Sequence, residues 1–177
     1  VAFLTEALAR VGAIVEGTHP ATAVPGRSVP AGRHRSTRLH GDLRDPAFPG
    51  AHFHRGYDLA VMSSGNVPGD PPNRNAGSKR RRIIVEVAIG YMTSRDAPRG
   101  AGVGSTLYDA TLLAHSDHEQ IAEALGWSAF WPGTAPAIVG AVPDGDVQTV
   151  VVVPQARIVV AARWALTLSY PPGTEWP

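Results

Sequence analysis

The sequence predicts an α+β fold: an antiparallel four-stranded sheet packed by two helices, in the order α-β-β-α-β-β, with long Gly/Pro-rich loops. Three observations carry this. Two segments place apolar residues three and four apart, the step of a helix face, and four others alternate or run apolar between turn residues. The 19 glycines and 16 prolines gather between those segments. A chain of 177 residues, 44% apolar and 18% charged, can bury one real core but not comfortably two. A single domain over 1–177 is expected, with an extended arm at 17–50 and a long hairpin loop at 63–80.

Residues 2–16, AFLTEALARVGAIVE, form the first helix, with Leu4, Leu8, Val11 and Val15 on one stripe. Gly12 weakens it, and Gly17 and Pro20 end it. The arm at 17–50 has no periodicity. A stretch this long is read as a functional arm or a mobile segment. It contains the basic run GRHRSTRLH, with Arg33, Arg35 and Arg38.

Residues 51–62, AHFHRGYDLAVM, alternate as a strand. Phe53, Tyr57, Leu59 and Val61 share one face, interrupted by Arg55; His52, His54 and Asp58 share the other. Across the loop at 63–80 comes SKRRRIIVEVAIGYM, whose Ile83, Val85, Val87, Ile89 and Tyr91 share a face. These two strands make an extended hairpin.

A glycine-rich link at 93–104 leads to Ser105, read as an N-cap. The second helix runs to about Leu125 with Leu107, Thr111, Ala114, His118, Ile121 and Leu125 on its stripe, and Gly126 stops it. Residues 127–145 read as loop. The last strands are 147–153 and 157–170, the latter with Ile158, Val160, Ala162, Trp164, Leu166, Leu168 and Tyr170 facing one way. Ile84, Ala88, Met92, Val159, Ala161 and Ala165 put apolar surface on the opposite faces. That surface fits a partner, or loops folded over it.

Several function classes lose weight. Net charge is only +1, from 16 basic and 15 acidic residues, so a dedicated nucleic-acid binder is disfavoured and any basic patch must be local. There is no cysteine, which rules out disulfides, thiolate zinc sites and cysteine nucleophiles. No apolar run reaches the ~18–20 residues of a membrane helix, so no membrane partner is expected. The first residues lack a signal peptide's basic start and apolar core, so the chain is expected in the cytoplasm or in a particle assembled there.

Candidate chemistry is sparse. His52 and His54 with Asp58 share a strand face and could hold a metal, but Asp58 lies about 13 Å from His54 at ~3.3 Å per residue. Solvent-facing histidines explain the pattern as well. His115 and His118 lack the spacing of a helical zinc pair. Gly100, Gly102 and Gly104 precede a helix but complete neither a phosphate loop nor a dinucleotide fingerprint. No cofactor is expected. The run Lys79, Arg80, Arg81 and Arg82 alternates faces, so half of it can address one ligand. It reads as a polar lip meeting an acidic partner, or as a basic annulus if copies form a ring around passing DNA that is not read in sequence.

The layout resembles the tail terminator proteins of long-tailed bacteriophages, the family of the lambda minor tail protein U. The resemblance lies in FLTEALARVGAIVE, the hairpin HFHRGYDLAVM with RRRIIVEVAIGYM, the helix LYDATLLAHSDHEQIAEAL stopped by glycine, and the closing ARWALTLSYPP. It implies a virion protein without catalytic residues. Such proteins form a homo-hexameric ring at the head-proximal end of the tail tube, which ends tube polymerisation and joins the tail to the head or neck. The implied partners are copies of itself, the tail tube protein and a head–tail connector or neck protein. The implied location is the tail–neck junction of a virion assembled in the host cytoplasm. Lys79, Arg80, Arg81, Arg82, Arg33, Arg35 and Arg38 are its candidate partner or lumen contacts. Two alternatives stay open: another head–tail connector or neck component, and a metal-dependent enzyme built on the histidines.

Overall fold

The structure, a computed structural model, describes residues 2–18, 36–47, 55–67, 79–92, 107–127, 137–152 and 157–170. They form two helices, α1 (Ala2–Gly17) and α2 (Leu107–Trp127). Six strands lie in one sheet: β1 (Ser36–Arg38), β2 (Arg55–Asn66), β3 (Lys79–Met92), β4 (Ala137–Pro143), β5 (Gln148–Val152) and β6 (Arg157–Tyr170). Across the sheet the order is β1-β2-β3-β6-β4, and β5 pairs with the end of β6 that β4 leaves open. The six segments therefore fill five positions. All pairs are antiparallel except β1 with β2.

The α+β class and the pair of helices follow the sequence reading, but the strand count and order need correcting. β4 lies in a stretch read as loop. AIVGAVP has no alternation long enough to announce a strand, and it is held by pairing to β6. β1 is three residues inside the arm, too short to leave a pattern. β2 runs on through Ser63–Ser64–Gly65–Asn66, read as the start of the hairpin loop at 63–80, because β3 pairs with it as far as Asn66↔Arg81. The helix N-cap Ser105 lies outside the described residues.

One face of the sheet carries the main core. Ile83, Val85, Val87, Ile89 and Tyr91 of β3 are fully buried, as the alternation requires. Ile158, Val160, Trp164, Leu166 and Leu168 of β6 lie beside them. Onto this face α1 lays Ala7, Val11 and Val15, and α2 lays Leu113, Ala114, Ile121 and Leu125. Burying each large aliphatic side chain contributes about 1.5–3 kcal/mol, so this face dominates stability. At Gly12 α1 comes close to β2, with Tyr57 Oη 3.5 Å from where a Cβ would sit.

The opposite face is covered in part by the protein's own chain. Leu39 and Leu43, just after β1, pack on Ala88, Val152, Val159 and Ala161 as a second, smaller core. Of the two readings of that apolar face, a covering segment is therefore what the described residues 36–47 provide. β4 and β5 are separated by a turn in which Gly145 adopts φ 93°, a left-handed backbone that favours glycine.

Candidate functional site

Three places hold most of the polar chemistry of the described residues. The first is buried. Arg55 starts β2 on the core-facing side and is fully shielded from solvent. It meets the equally buried Asp117 of α2 in a two-pronged ion pair, Nε to Oδ2 at 2.6 Å and Nη2 to Oδ1 at 2.7 Å. Arg55 also donates from Nη1 to the Val15 carbonyl and from Nη2 to Thr18 Oγ1, 3.1 Å away, at the end of α1. Tyr91 of β3 donates its hydroxyl to Asp117. Both helices and the β2–β3 hairpin thus converge on one charge pair. Burial works against the Arg55 cation, but hydrogen bonding and the charge of Asp117 outweigh it and raise its pKa. Burial, then Asp117, pushes the Tyr91 hydroxyl well above the ordinary tyrosine range, so it stays a donor.

This cluster is absent from the sequence reading, though its signals were present. Arg55 broke an otherwise apolar strand face, and a core-facing arginine needs a carboxylate. Asp117 follows Ala114 by three positions and precedes Ile121 by four, which places it on the buried stripe of α2.

The second place is the basic run. Residues Lys79–Arg82 are the first residues of β3, which is flanked by β2 and β6. Arg81 and Arg82 are paired on both sides and so do not guard a sheet edge, whereas Lys79 and Arg80 pair with β6 alone among the described residues. Arg80 is exposed, and Arg82, on the same side, bonds Asp144 Oδ1 at 3.1 Å through Nη2. Arg81 alternates to the side of Ile83. Arg38 lies elsewhere: it stands opposite Tyr57, whereas Arg81 and Arg82 stand opposite Asn66 and Gly65. At ~3.3 Å per residue that is about 26 Å along β2, so Arg38 and the run are not one patch. Arg33, Arg35, His52 and His54 lie outside the described residues. Among the described residues no group of three or more histidines and carboxylates could hold a metal.

The third place is a charged network beside the second core. Glu86 of β3 is buried there, with Arg44 Nη2 2.9 Å from Oε1 and Arg163 Nε 3.2 Å from Oε2. Arg44 also bonds Asp42 through Nε at 2.9 Å. A cavity of about 210 Å³, lined in part by Asp42, Arg44, Asp58 and Glu86, opens beside them. The Asp42 carboxyl is lowered below its usual range: burial opposes this, but bonds from Arg44 prevail. The network ties the 36–47 segment to the sheet.

On α2, His118 is buried, and its Nδ1 finds no hydrogen-bond partner among the described residues. Burial, then the charge of His115, lowers its pKa below 6.5; Asp117 and Glu119 oppose this. A lowered histidine contributes its stability fully above the unfolded value near 6.5 and loses it as pH falls towards the folded value. Thermal melts from about pH 7 down to about pH 5 should therefore show falling stability. His118→Leu should flatten that slope; an unchanged slope would assign it to other groups. Exposed His115 instead shares a 3.1 Å hydrogen bond with Thr149 of β5.

No family model matches the chain, and no curated protein matches it significantly.

Proposed function

We propose that this chain is a structural virion protein that forms a ring at the head-proximal end of a phage tail tube, ends tube polymerisation and joins the tail to the head or neck. The observation that supports it best is the layout. An N-terminal helix, a long hairpin β2–β3, a second helix and a closing antiparallel pair β5–β6 place both helices on one face of a single sheet. Apart from the additional β1 and β4, that is the layout on which the resemblance to tail terminators rests. The basic run adds to it. Arg80 is exposed at the end of β3, where a ring of copies with strands along its axis would gather such residues around one rim. Backbone phosphates passing there would meet charge without sequence readout.

The test is to add the purified chain to growing tubes of the tail-tube protein encoded beside it and to measure tube lengths by electron microscopy. The reading expects ring-shaped caps at one end and tubes whose growth stops. Tubes of unchanged length with bare ends would overturn it.

A further inference from the structure

We infer that neighbouring copies of this chain join by continuing the sheet, the β2 edge of one copy pairing antiparallel with the β4 edge of the next. Of the seven large apolar side chains exposed among the described residues, only Leu112 lies away from the two outer sides of the sheet. Val61 (36% exposed) and Met62 (46%) are on β2; Val139 (42%), Val142 (59%) and Val151 (44%) are on β4 and β5, with Val147 (44%) in the turn between them. Both edges also lack charge. Residues 60–66 read AVMSSGN and 137–143 read AIVGAVP. Sheet edges exposed to water are ordinarily guarded by charged side chains, lysine above all. Among the described residues no strand pairs with β2 beyond Tyr57, or with the outer side of β4.

The two edges match in direction and in height. β2, β3, β6 and β4 alternate in direction, so β2 and β4 run opposite ways. A copy added edge to edge in the same orientation therefore forms an antiparallel pair, and the step can repeat. Following the register across the sheet, Ser63 is level with Ile84, Ala165 and Val142. Asn66 is level with Arg81, Leu168 and Ile138. The open stretch of β2 thus faces outward at the height at which β4 faces outward on the other side. Level pairing sets Ser63 of one copy opposite Val142 of the next, and Val61 opposite Pro143, with Met62 in the bulge between them. The lower part of β2 is already taken by β1, which confines the contact to this stretch. Each edge has one irregularity, between Val61 and Ser63 and between Ile138 and Gly140, and such bulges add the twist and bend that a curving sheet needs.

The contact uses two different surfaces of one chain, so it is head-to-tail and generates a closed ring when its rotation closes. Closure into a ring rests on the function proposed above; the pairing itself does not.

The absence of native cysteine makes the test direct. Ser63→Cys and Val142→Cys are made as separate variants, each checked for an unchanged melt, and oxidised alone and mixed. Residues opposite each other in an antiparallel pair have Cα atoms about 4.5–5.5 Å apart, within the reach of a disulfide. A covalent dimer in the mixture and none in either variant alone is the expected result. A dimer in one variant alone would mean that like edges pair, and would overturn the inference. So would a mixture without the disulfide, whether native mass spectrometry finds an oligomer or only monomer. Rings that cap tail tubes without this cross-link would sink the contact alone. The cross-link with no effect on tube length would sink the tail function alone.

Discussion

Asp117→Asn is expected to destabilise the protein by about 3–5 kcal/mol, the cost of leaving a buried arginine without its counter-charge. In a domain of this size that corresponds to a melting point lower by roughly 6–20 °C. The size follows from burial. Arg55 and Asp117 are both fully shielded, so water cannot take over the role of the lost charge. Asparagine keeps the shape and one acceptor but cannot satisfy the two-pronged guanidinium. Arg55 would keep its bonds to the Val15 carbonyl and the Thr18 hydroxyl, but both are neutral acceptors that supply no counter-charge. Removing both charges together, Arg55→Met with Asp117→Leu, should recover much of the loss, because a buried pair is often no more stable than an apolar replacement. Denaturant unfolding of the three proteins checks this. A single variant costing less than about 1 kcal/mol, the range of an exposed pair, would show that the cluster is hydrated in solution.

Leu43→Ala should cost about 2–5 kcal/mol, the usual range for deleting a buried leucine side chain. Leu43 is fully buried over the second face of the sheet, and its Cδ1 lies 3.6 Å from where a Cβ on Gly90 would sit. The loss should also be local. The main core on the other face does not touch Leu43, so the covering segment can release while the sheet stays intact. Hydrogen exchange should show the amides of 39–47 losing protection ahead of those of β3. Equal loss everywhere would mean that segment and sheet unfold as one unit.

How much of this was legible depends on the length of the pattern. β3 and β6 are each 14 residues long and keep an unbroken apolar row at every second position, from Ile83 to Tyr91 and from Ile158 to Tyr170, and every described core-side position of β3 from Ile83 to Tyr91 is buried as read. β4 and β1 were not legible, because their conformation comes from the strands beside them rather than from their own residues. The basic run was visible as charge, but its sequence could not tell a central strand from an edge; the strand pairing does, with Arg81 and Arg82 flanked on both sides and Lys79 and Arg80 paired with β6 alone among the described residues. The Arg55–Asp117 pair is 62 residues apart, a separation that one sequence cannot bridge without knowing that β2 and α2 share a core. The histidine pair His52 and His54 remains an expectation from alternation alone.

The position of β6 bears on how the chain is made. It is the last described strand in sequence, yet it sits inside the sheet, between β3 and the β4–β5 edge. A ribosome working at ~5–20 residues per second needs about 4–16 s to pass from Met92 to Tyr170. Throughout that interval β3 has a partner on one side only, and its inward row from Ile83 to Tyr91 has no β6 beside it. The nascent chain therefore cannot complete its sheet piece by piece from the N-terminus. It must hold a long apolar strand unsealed until β6 inserts, which makes synthesis the period in which stray strand pairing is most dangerous to it.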